Sequence, residues 1–149
     1  MLSCPEAEAR AAALIARARR AGADAADATI IAQMSESIGV RLGRLEDVGR
    51  SEGEHVALRV FIGHQSASIG SSDLSDVALD ALAARAVEMA RAAPDDRFAG
   101  LAPEDMLMRG PLPDLALDDG TEPDAETLRD AALAAEDAAR AVAGVTNSE

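Results

Sequence analysis

Apolar residues recur at every second position in one long part of the chain, residues 28–72. The clearest run is 56–62. Val56, Leu58, Val60 and Ile62 fall on one side, and Ala57, Arg59 and Phe61 on the other. A strand with one buried face requires this alternation, because successive side chains leave a pleated backbone on opposite sides. The same test predicts strands at about 27–35, with both faces partly apolar, and at 37–42, with Ile38, Val40 and Leu42 inward. A weaker, edge-like run covers 45–51, and a last strand 66–70. Turns are expected at Gly43 with Arg44, Gly53 with Glu54, and Gly63 with His64. Runs this closely spaced favour an antiparallel meander.

Outside this region the period changes to that of a helix. A first helix is predicted over 5–21, with Ala7, Ala11, Leu14, Ile15 and Ala18 as its buried stripe. Ser3 and Glu6 have capping-box spacing, Pro5 sits in the first turn where a missing N–H costs little, and Gly22 ends the helix. A second helix starts between Ser72 and Ser75, capped by Asp73 or Ser75, and ends before Pro94. Its expected stripe is Leu74, Val77, Ala81, Leu82, Ala86, Met89 and Ala90. A third covers 123–143, with Thr121 and Asp124 approximating a capping box. Leu128, Ala131, Ala135, Ala138 and Val142 form its stripe, and Gly144 closes it. Between the last two helices Pro94, Pro103, Pro111, Pro113 and Pro123 interrupt a stretch that also holds Phe98, Leu101, Met106, Leu107, Met108, Leu112, Leu115 and Leu117. So many apolar residues do not suit a disordered linker. A surface segment with some side chains anchored is expected, with a short helical turn within 101–108.

The predicted class is therefore α+β, an antiparallel β-meander sheet of four to five strands covered by two to three Ala-rich helices. Residues 1–144 are read as one domain containing a Pro/Asp-rich surface segment at 92–122. Residues 145–149 are read as extended, the start of something further.

Composition changes this picture in three ways. The hydrophobic share is 48%, but much of it is alanine and only Phe61 and Phe98 are aromatic, so the core must use Leu, Ile, Val and Met. The net charge is −13, and all 14 cationic residues are arginine. Such a surface repels phosphate backbones and anionic membranes, which disfavours direct nucleic-acid binding. Cys4 is the only cysteine, so no intrachain disulfide can form, in keeping with a reducing compartment. No basic-then-apolar leader and no membrane-length apolar run is seen, and a cytoplasmic location is expected.

Candidate chemistry is sparse. His55 and His64 flank the 56–62 run, so nine residues at about 3.3 Å each hold them roughly 30 Å apart, and neither belongs to a helical zinc motif. Ser66, Ser68, Ser71 and Ser72 lack a G-x-S-x-G elbow and a placed base. Gly39, Gly43, Gly49 and Gly53 follow turns rather than a dinucleotide fingerprint. Arg17, Arg19 and Arg20 suit a solvated helix C-terminus better than an anion site. Cys4 reads as a terminal residue in a frayed segment, and the Asp95–Asp96 and Asp118–Asp119 pairs carry little weight in so acidic a chain. No catalytic, cofactor-binding or metal-ligating residue is assigned.

The order helix, strand, Val40-Arg-Leu-Gly-Arg-Leu-Glu-Asp-Val48, then Val56-Ala-Leu-Arg-Val-Phe-Ile-Gly63, resembles the N-terminal domain of the TldD/PmbA family. Ser66-Ala-Ser-Ile-Gly-Ser-Ser-Asp-Leu-Ser75, an alanine-rich helix and Pro94-Asp-Asp-Arg-Phe-Ala-Gly100 resemble its PmbA (TldE) branch. Val145-Thr-Asn-Ser-Glu149 resembles the passage into that family's C-terminal domain. The resemblance implies a cytoplasmic peptidase complex, long described as a modulator of DNA gyrase. In it a TldD subunit carries zinc on an HExxxH motif and PmbA is its partner; small peptides, including a microcin precursor, are processed and an antitoxin is degraded. This sequence has no HExxxH, so neither zinc nor a catalytic residue carries over. The implied role is a non-catalytic domain that contributes dimer interface and chamber wall around a peptide or unfolded protein. Its partner would be a TldD-like subunit or a second copy. The alternative is a stand-alone acidic module that binds gyrase.

Overall fold

A computed structural model describes residues 2–111, 113–117 and 119–148. The element order is α1 (Cys4–Ala21), β1 (Ala25–Arg41), β2 (Arg44–Ile62), β3 (Gln65–Ser71), α2 (Asp76–Ala92), a 3-10 turn at Glu104–Met106, and α3 (Ala125–Arg140). The three strands form one sheet in the order β1-β2-β3. β2 and β3 are antiparallel, with Val56 opposite Ser71, Leu58 opposite Ile69 and Ile62 opposite Gln65. The α+β class holds, but the five expected runs are three long strands.

The missing breaks have a physical cause. Residues 33–37 of β1 and 50–53 of β2 are exposed on both faces. A polar stretch exposed on both faces shows no alternation and mimics a turn. Gly53 is in fact inside β2, not at a reversal. The real reversal is one residue earlier than expected, at Leu42 and Gly43, with φ of 51° and 74°. Left-handed conformation at both central residues is what a two-residue type I′ hairpin needs. Glycine accepts it freely, whereas Leu42 takes it against its β-carbon.

The chain divides into two compact units: residues up to Gln33 with Gly53–Arg109, and Met34–Glu52 with Gly110 onward. β1 and β2 run through both. In the first unit α2 packs on β3 and on α1. Leu14 and Ala18 of α1, Val56, Leu58 and Val60 of β2, and Leu79, Leu82, Ala86, Val87 and Ala90 of α2 close one core. The α1 stripe is as expected. The capping box is present, with Glu6 accepting from the Ser3 N–H at 2.9 Å and hydroxyl at 2.7 Å. The α2 stripe is rotated: Leu79, Ala83 and Val87 are buried, whereas Val77 is 82% exposed and Met89 faces out. Leu79, Leu82, Ala86 and Ala90 keep the helical spacing, and Val77 lies off that line. Ser75 is the N-cap, accepting from Ala78 N–H at 3.3 Å.

In the second unit α3 is capped by Asp124, which accepts from Thr127 N–H at 2.8 Å. Thr121 does not form the expected box; it bonds Asp119 instead. Ala131, Ala138 and Val142 are exposed, and Leu128, Ala132, Leu133, Glu136 and Ala139 are the covered positions.

The segment after α2 is tied by its backbone: Asp96 N–H donates to His64 C=O at 2.9 Å, and Gln65 Nε2 donates to Ala93 C=O at 2.7 Å. The short helical turn is present at Glu104–Met106. The expected anchoring of side chains is not: Phe98, Leu101, Met106, Leu107, Met108, Leu115 and Leu117 are all exposed. The Arg97 guanidinium lies over Phe98, 4.6 Å from its ring centre. Leu112 lies outside the described residues. No helix among the described residues is long and apolar enough to cross a membrane.

Candidate functional site

Three polar constellations are built by the fold, each from residues distant in sequence. The first is on α1 and α2. Arg17 lies about one turn before the end of α1, and its guanidinium bridges to α2, reaching Asp76 at 2.5 Å and Asp80 at 2.8 Å. Arg19 and Arg20 stay exposed. An open depression of about 550 Å³ runs beside this pair, lined by Arg10, Ala13, Leu74 and Ser75. Its central cation, Arg17, is already neutralised by Asp76 and Asp80.

The second is on the sheet face away from the helices. Arg59 forks onto the Asp27 carboxylate and stacks its guanidinium 5.2 Å from the Phe61 ring. Asp27 is the largest cause of a raised Arg59 pKa. Phe61 is only 4% exposed although it points opposite to Leu58 and Val60. His55 lies inside β2, not before it, and its ring sits over Gly70: a β-carbon there would come within 2.5 Å of Nε2. His64 is in the β2–β3 turn.

The third is in the second unit. Glu136 of α3 is 3% exposed and points at the Leu42–Gly43 turn. Its carboxylate accepts from Leu42 N–H at 2.5 Å, from Gly43 N–H at 2.7 Å and from the Ser148 hydroxyl at 3.2 Å. The Gly43 amide, then Leu42, Ser148 and nearby Arg140, hold its pKa below the ordinary glutamate value, against the opposing effect of burial. Asn147 meets Arg41 at 3.3 Å, which seats the tail beside the same turn.

The other candidates stay apart. Cys4 opens α1 and is exposed. Ser66, Ser68 and Ser71 are on β3, and Ser71 closes a turn with Asp73; Ser72 follows. Asp96 supports the turn at Phe98 and Asp119 the turn at Thr121; Asp118 lies outside the described residues. Among the described residues no three His, Cys, Asp or Glu side chains converge as metal ligands.

Sequence reasoning missed Glu136, the Arg59–Asp27 fork and the Arg17 bridge. Only Glu136 had a readable signal: with Leu128, Ala132 and Ala139 it makes a helical stripe with a charge in its centre.

PmbA/TldA metallopeptidase domain 1 matches residues 26–90, which take in nearly all of the three strands and most of α2. The metalloprotease PmbA homolog of Haemophilus influenzae is 31% identical over 122 residues, covering 82% of this chain and 27% of that protein. The chain thus spans little more than a quarter of its relative's length. A crystal structure of a Bacteroides thetaiotaomicron protein, described as a candidate modulator of DNA gyrase, aligns with a TM-score of 0.76. It covers 97% of this chain and 32% of the other at 19% identity, a likeness of fold.

Proposed function

Because this chain belongs to the PmbA/TldD family, we propose that it is a non-catalytic N-terminal domain of a PmbA-like subunit in a cytoplasmic metallopeptidase complex. It supplies interface toward a TldD-like subunit or a second copy, and part of the wall around an unfolded peptide. The observation that carries this is the position of the match: residues 26–90 coincide with the sheet and the helix packed on it, the part that gives shape. The sequence has no HExxxH, and the described donors do not assemble a zinc site. Zinc and bond cleavage are assigned to the partner.

The test mixes the purified chain with a TldD-like zinc subunit and follows size by light scattering, zinc by elemental analysis, and cleavage of an unstructured peptide. Co-elution with zinc only in the partner supports the reading. Stoichiometric zinc in this chain alone, or cleavage by it, overturns it. The second reading, an acidic module touching gyrase, is favoured by the net charge of −13. Salt-sensitive binding to purified gyrase without the zinc subunit would select it.

A further inference from the structure

The Leu42–Gly43 turn presents two consecutive amides from left-handed backbone. Successive N–H groups in such turns converge into a concavity that accepts an anion. Here each oxygen of Glu136 takes one amide, Oε1 from Leu42 and Oε2 from Gly43, and Ser148 adds a hydroxyl. Glu136 is the one charged residue buried among the described residues. Around it the helix offers mainly alanine: Ala132, Ala135 and Ala139 face Ile38 and Val40 across a cavity of about 320 Å³. Methyl groups bury little apolar area, and Glu136 is the side chain of the helix that bonds the turn directly.

We propose that the Leu42–Gly43 amide pair is a carboxylate-binding site that the chain fills from within with Glu136, and that α3 is held on the hairpin by this replaceable ligand. An intramolecular ligand acts at high effective concentration, so external carboxylates do not compete in the intact chain. Emptying the site by substitution opens it to a small carboxylate.

The experiment follows amide hydrogen exchange of Leu42 and Gly43 by NMR in the whole chain. In Glu136→Ala both amides exchange roughly ten- to a hundredfold faster, the range expected when a hydrogen bond to a charged acceptor is lost. Formate then restores protection saturably, neutral formamide does not, and Leu58 and Val60 are unchanged throughout. Unaltered protection in the variant, or equal rescue by formate and formamide, overturns the proposal. Glu136→Gln keeps the side-chain volume with one acceptor oxygen, and is the measurement to use if the alanine variant loses α3. It should protect one of the two amides and expose the other; protection of both as in the parent also overturns the proposal.

Discussion

In the larger unit Leu14, Val56, Leu58, Val60 and Ala86 are completely buried, drawn from one helix, one strand and a second helix. In the smaller unit, among the described residues, only Val40 and Glu136 are less than a tenth exposed. β1 and β2 serve both, so strand pairing does not separate them. The side chains do. Leucine and valine remove enough apolar surface from water to hold a helix on a sheet. Alanine does not, and it is the commonest residue of α3. A directional contact, the Glu136 carboxylate on two amides, takes over where apolar area is short. Helices of similar composition can thus be fixed by different physics, depending on a few large residues.

The most severe way to break this contrast is Leu58→Ala. Leu58 lies in the C-terminal half of β2 with no exposed surface. Removing it leaves a cavity in packing that relaxes only partly, at a cost of about 2–5 kcal/mol. Urea unfolding should show the loss. A cost under about 1 kcal/mol would mean that the larger unit is not closed by its apolar core.

Acid should separate the units next. Glu136 has a folded pKa below its unfolded value. Its contribution is therefore complete above the unfolded value and is lost as pH falls through the lower folded one. Asp124, the α3 N-cap, is lowered by the Thr127 amide and acts in the same direction. Protection of Leu42 and Gly43 should fall on the acid side of pH 4.5 while Leu58 stays protected. Glu136→Gln should flatten the Leu42 and Gly43 part of that profile. A profile identical in the variant would remove Glu136 from the account.

The same contrast explains what the sequence revealed. The 56–62 run was plain because one face is buried and the other wet. Val77 and Met89 misled because a large apolar residue looks the same whether it faces the core or water. The exposed apolar residues at 98–108 misled likewise. Glu136 was legible only as a charge in the α3 stripe: its partners are backbone amides about 94 positions away, to which side-chain patterns are blind. Arg17 and Asp27 have acidic or basic partners 59 and 32 positions distant, and in a chain with 27 acidic residues no pairing is singled out.

A smaller effect sharpens the comparison at the helix ends. Ser75→Ala removes the oxygen that caps α2 and should cost about 1 kcal/mol. Because α2 is also pinned by Leu79, Leu82 and Val87, helix content by circular dichroism should hardly change below the transition. Melting of α2 alone would show that the cap, and not the core, holds it.

The smallest effect is expected at Arg17, although its two ion pairs are conspicuous. The Arg17 side chain is 15% exposed, but its partners Asp76 and Asp80 are 86% and 66% exposed. Ion pairs open to water are worth about 0.2–1 kcal/mol. Losing the cation strands neither aspartate, since both stay hydrated and Asp76 also sits at the favourable end of the α2 dipole. Arg17→Met keeps the apolar stem over the groove and should cost under about 1 kcal/mol, shrinking further in molar salt, where the screening length is about 3 Å. Urea titrations at low and high salt measure it. A salt-independent loss above about 2 kcal/mol would give the larger unit a charged keystone like that of the smaller one, and the contrast between them would fail.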